Sequence, residues 1–124
     1  MSSAPPPPAY QAPTPMNPAD EKLWATLIHI GGIIFGFVPA LIGYIVLKER
    51  GPFIRAHSLT ALNFQISLLI YALGILIIGV VTLGLGFVLY APLGIVAVIF
   101  MILAAIKANE GQYYSYPLTI KFIS

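Results

Sequence analysis

Residues 56–106 read "AHSLTALNFQISLLIYALGILIIGVVTLGLGFVLYAPLGIVAVIFMILAAI", 51 consecutive positions without Asp, Glu, Lys or Arg. As one helix, rising about 1.5 Å per residue, the stretch would run to roughly 75 Å, more than twice a bilayer core of about 30 Å, so it must turn back once. "TLGLG" at 82–86 supplies the turn, and spans are expected over 61–82 and 87–106. The remainder agrees: the 124 residues are 59% hydrophobic and 8% charged, against about 25% charged in a soluble domain. Lipid is the expected solvent.

Upstream, Leu23 to Leu47 is a third apolar run, long enough for one tilted span. Gly31, Gly32, Gly36 and Pro39 interrupt it, and Pro39 has no N–H for the Phe35 carbonyl, so a kink or break is expected near 35–39. Ala25, His29, Gly32, Gly36, Ala40 and Gly43 share one side at 100° per residue, the small-residue spacing that admits a neighbouring helix. Residues 47–53, "LKERGPF", close the run with Gly51 as a helix stop and Pro52 as a helix start; "FIRAHSL", 53–59, suits a short interfacial helix. The expected fold is therefore an all-α membrane bundle of three transmembrane helices, the first broken by Gly and Pro.

The ends differ in character. Residues 1–21 hold most of the eleven prolines and form an expected disordered tail before a membrane domain over 22–124. No basic segment followed by an apolar core opens the chain, so no cleavable signal peptide is expected. After Gly111, Tyr113, Tyr114 and Tyr116 suit a membrane–water boundary, and "LTIKFI" at 118–123 alternates in polarity without a firm secondary structure. With three spans, Lys48, Arg50, Arg55, Lys107 and Lys121 share one side and Lys22 lies on the other, which puts the first loop and the C-terminus in the cytoplasm. Should 23–47 re-enter instead, the tail stays cytoplasmic and all six cations fall on one side.

Polar residues inside the apolar runs are the candidate sites. On the second span Asn63, Ser67 and Tyr71 lie within an arc of about 80° with Thr60 and Gly74, while Gln65 points elsewhere. They read as helix-packing groups that set register, or else as the lining of a polar path. His29 is the only ionisable group well inside a span, and intramembrane ionisable residues are functional suspects. Here, however, no acid lies in any span, so a packed neutral ring is expected. His29 and His57 are too few for a metal site, Cys is absent, and the four acids lie at span ends, so no metal, cofactor or catalytic group is expected. A net charge of +2 without a basic stripe excludes nucleic acid. Expected partners are membrane lipid and, through the Gly/Ala and Asn63/Ser67/Tyr71 faces, further copies or other membrane proteins; the alternative is a transporter or channel subunit with a path near His29 and Asn63.

Four stretches together, "LIHIGGIIFGFVP" (27–39), "PFIRAHSLTALNFQIS" (52–67), "AAIKANEG" (104–111) and "YPLTIKFI" (116–123), resemble a prokaryotic membrane domain of the Tic-twenty-like family, distantly similar to the small multispanning subunit of the chloroplast inner-envelope protein translocon. The resemblance implies a multi-pass inner-membrane protein with a role in protein transport or membrane-complex assembly. It carries over no catalytic residue or ligand.

Overall fold

The computed structural model describes residues 14–123; the expected disorder of the tail lies mostly outside them. It is built from α1 (Pro18–Phe35), α2 (Val38–Leu47), α3 (Pro52–Val81) and α4 (Tyr90–Asn109), with a 3₁₀ turn at Leu85–Leu89 ahead of α4. No strand occurs among the described residues. Asn17 caps α1 by accepting from Asp20 N–H at 2.8 Å, and Pro18 takes the first helical position, where its missing N–H costs nothing.

The expected single span over 23–47 is instead two helices. Gly36 adopts φ 65°, ψ −131°, a conformation closed to side-chain-bearing residues, and α2 restarts with Pro39 in its first turn. The chain does not kink and continue; it folds back. A Cβ on Gly31 would meet Pro39 at 3.0 Å and one on Gly43 would meet Ile28 Cδ1 at 2.5 Å, so residues 31 and 28 face 39 and 43 in antiparallel order. At ten residues, α2 is about 15 Å long, half a bilayer core. The count of three crossing helices is not reproduced: among the described residues, α3 and Leu85–Asn109 are the two long and apolar enough to cross.

The separate interfacial helix expected over 53–59 is also revised. Those residues are the first turns of the 30-residue α3, begun by Pro52 and capped from a distance by Glu21, whose carboxylate accepts Ile54 N–H at 3.1 Å. The "TLGLG" turn forms as expected, and Gly79 passes so close to the Phe87 ring that a Cβ would overlap it.

α1 is the central element, packed on α4, α3 and α2, whereas α3 and α4 touch each other little. Ala25, Ala104 and Ala108 are wholly buried at these contacts. Small side chains let the backbones approach closely, which is how helices gain packing energy where lipid gives no hydrophobic drive. Outward, Ile34, Ile45, Ile77, Val80 and Ile95 are each more than 60% exposed. Apolar outside and small or polar inside is the arrangement of a membrane protein.

One end gathers the polar termini. Met16 N–H donates to the Arg50 carbonyl at 2.7 Å, Arg50 Nε reaches the Thr14 carbonyl, Glu21 holds the start of α3, and the Lys22 side chain lies against Gly111 past the end of α4.

Candidate functional site

Residues 112–123 leave α4 and re-enter the bundle as an irregular segment. Its turn is at Leu118, where φ is 61°, unusual for a side-chain-bearing residue. Such backbone is tolerated in an apolar setting only when its N–H and C=O groups find partners in the protein. The stripe of α3 supplies them. Asn63 Oδ1 accepts the N–H groups of Phe122 and Ile123, both at 3.0 Å, and its Nδ2 donates to the Ile123 carbonyl at 3.0 Å. Ser67 Oγ accepts Ile120 N–H at 2.8 Å, and Tyr71 Oη donates to the Leu118 carbonyl at 2.5 Å.

The spacing explains the stripe. Four helical residues advance about 6 Å and two extended residues about 6.6 Å, so 71, 67 and 63 on α3 keep step with 118, 120 and 122–123 on the returning chain. Gln65 faces the other way, as its helical angle requires, and lies between Gly32 of α1 and Met101 of α4, with Nε2 3.2 Å from Met101 Sδ. Gly32 is thus an internal contact of the monomer. Gly36 lines the turn and has open space where a Cβ would be.

Above the ladder runs a second set of hydrogen bonds. Tyr116 Oη lies 2.6 Å from His29 Nδ1, His29 Nε2 lies 2.8 Å from His57 Nδ1, and His57 Nε2 lies 2.8 Å from the Gln112 carbonyl. A carbonyl only accepts, so His57 Nε2 carries a proton; with both rings neutral, His57 Nδ1 accepts from His29 Nε2–H and His29 Nδ1 accepts from the Tyr116 hydroxyl. Every group in the chain is then satisfied and uncharged. Phe53 meets the His57 ring at 4.6 Å between centroids, and Phe64 stacks on Tyr116 at 4.0 Å. Burial pushes the Tyr116 phenol well above the ordinary tyrosine range, with Tyr114 adding to the effect.

His29 is 1% exposed, and titratable neighbours surround it. His57, expected on an interfacial helix, and Tyr116, expected at the membrane boundary, both reach it, and Tyr116 is only 4% exposed. Sequence reasoning missed this because 28 and 87 residues separate the partners. The available signal was the polar stripe itself, whose four-residue repeat matches the two-residue alternation of "LTIKFI". Among the described residues no three His, Asp or Glu converge. A single metal between His29 Nε2 and His57 Nδ1 would need the rings to part, since they already touch at hydrogen-bond distance.

The fold and its closed polar interior define a small helical membrane protein whose residues 112–123 are held inside its own bundle. The sequence model of the magnetosome magnetite crystal formation protein family matches residues 20–123, and the chain belongs to that family. The Tic-twenty-like resemblance is therefore corrected: the match covers all four stretches that carried it, and in the structure they supply the α1–α2 turn, the α3 stripe, the end of α4 and the returning segment. No curated protein and no solved structure matches the chain.

Proposed function

We propose that this chain is a non-enzymatic integral protein of the magnetosome membrane that acts in magnetite crystal formation by lateral association with itself or a larger membrane complex. The observation that carries the reading is membership of a family described by that process, over nearly the whole membrane domain. The geometry supports the non-enzymatic part, because Asn63, Ser67, Tyr71, His29 and His57 all serve to hold residues 112–123. A polar path along the same residues would first require that segment to leave, which weighs against the transporter alternative.

Lateral association then falls to other faces than Asn63, Ser67 and Tyr71. Beyond the short α1–α2 hairpin, a groove of about 280 Å³ lined by Phe37, Leu69, Ala72, Leu93 and Gly94 lies open. Two crossing helices and a re-entrant α1–α2 hairpin bring Lys22, Lys48, Arg50, Arg55 and Lys107 toward one membrane face, which the positive-inside rule makes cytoplasmic. The N-terminal tail then lies in the cytoplasm with the C-terminus. The test is deletion of the gene in the source organism, followed by electron microscopy of the crystals. Smaller or fewer crystals, restored by the wild-type chain but not by Gly94→Leu, support the reading; crystals unchanged by deletion refute it.

A further inference from the structure

A basic groove at the α2–α3 corner belongs neither to the held segment nor to the lateral face. It has a volume of about 310 Å³ and is lined by Lys48, Glu49, Arg50, Gly51, Pro52 and Arg55, with Pro15 at its edge. Lys48 Nζ lies 5.2 Å and Arg55 Cζ 5.9 Å from the centre of the same Tyr44 ring. Both cations are thereby held at the same aromatic ring while lining the groove. Glu49 is the one acid in the lining, against three cations.

Its level in the membrane selects the anion. Within two turns below the corner, Ile42, Ile45 and Val46 of α2 are all more than half exposed, so the groove opens where the apolar wall of the helix meets the headgroups. We propose that this groove binds the phosphodiester of an anionic phospholipid, with Lys48 and Arg55 gripping the phosphate oxygens and the acyl chains lying along the exposed side of α2. Arginine presents a fork of N–H donors that matches two phosphate oxygens, and lysine adds a mobile point charge. The surplus of positive charge over Glu49 makes a zwitterionic headgroup the poorer ligand. The inference rests on the corner lying at headgroup level and not on any role in crystal formation, so the two fail separately.

The test is native mass spectrometry of the full-length protein in mild detergent, titrated with phosphatidylglycerol, phosphatidylcholine or inorganic phosphate. The wild type is expected to retain phosphatidylglycerol at least tenfold better than phosphatidylcholine. Lys48→Gln/Arg55→Gln is expected to abolish that preference, while Lys121→Gln, outside the groove, keeps it. Glu49→Gln, which raises the positive surplus, is expected to strengthen retention, and circular dichroism establishes that each variant is folded. Equal retention of the two lipids, or an undiminished preference in the folded double variant, overturns the proposal. Displacement of the lipid by inorganic phosphate at millimolar concentration overturns the lipid assignment in favour of a free-anion site.

Discussion

His29 and His57 meet edge to edge in the centre of the bundle, their rings inclined at 81° and His29 Nε2 2.8 Å from His57 Nδ1. Because each ring spends its second nitrogen on the C-terminal segment, the pair ties α1, α3 and residues 112–116 together. Removing either ring leaves two polar groups without partners in an apolar setting.

His29→Leu is therefore expected to destabilise the bundle by about 1–3 kcal/mol for each orphaned group, the Tyr116 hydroxyl and His57 Nδ1. Thermal unfolding in detergent reads the loss. A melting temperature equal to that of the wild type would show that the hydrogen-bond chain contributes nothing to the fold.

Asn63 and Tyr71 hold the same segment with different numbers of bonds. Asn63→Leu deletes three and is expected to cost about 1.5–4 kcal/mol, whereas Tyr71→Phe deletes one and is expected to cost about 0.5–1.5 kcal/mol. Hydrogen exchange should speed up at Phe122 and Ile123 in the first variant while changing little there in the second. The reverse order would break the ladder interpretation.

Alkaline pH should release the segment. The Tyr116 phenol is held neutral by burial, so its ionisation lies above the value of about 10 for a free tyrosine. A group whose folded-state value is raised contributes stability that is complete below the unfolded-state value and lost as pH climbs through the folded one. Ultraviolet absorbance should thus show fewer tyrosines ionising near the free value in the folded wild type than in the denatured chain, and the deficit should shrink in Tyr116→Phe. A Tyr116 that ionises normally in the folded protein contradicts the buried placement.

The α1–α2 hairpin depends on Gly43 passing Ile28. Gly43→Val places carbon where the Ile28 side chain now sits, and such overpacking is expected to cost about 1–3 kcal/mol, read as a lowered melting temperature. Adding Ile28→Ala should recover part of the loss, since it vacates the contested space. A cost unchanged by the second substitution would mean that the two residues do not touch.

Topology gives a separate check. Cysteines placed singly at Thr14, Glu110 and Leu83 are expected to react with an impermeant maleimide from the cytoplasmic side at the first two positions only. Labelling of Thr14→Cys from the opposite side would restore a single crossing over 23–47.

Much of this protein is legible in its residues alone. Fifty-one positions without a charge require lipid and a turn, "TLGLG" locates that turn, and Gly51–Pro52 marks the junction of α2 and α3. These features are local, and backbone propensity and hydropathy act on them directly. The faces of α3 are equally local: helical angle alone separates the Asn63/Ser67/Tyr71 stripe from Gln65.

Tertiary structure decided the rest. A break at Gly36 permits either a kinked span or a hairpin, and only the fit of Gly31 against Pro39 and Gly43 against Ile28 selects the hairpin. Likewise, no local rule says that residues 112–123 turn back into the bundle, or that His57 and Tyr116 meet on His29. Those contacts join groups 28 and 87 residues apart, and they form because unpaired backbone and side-chain polar groups in an apolar medium must find one another.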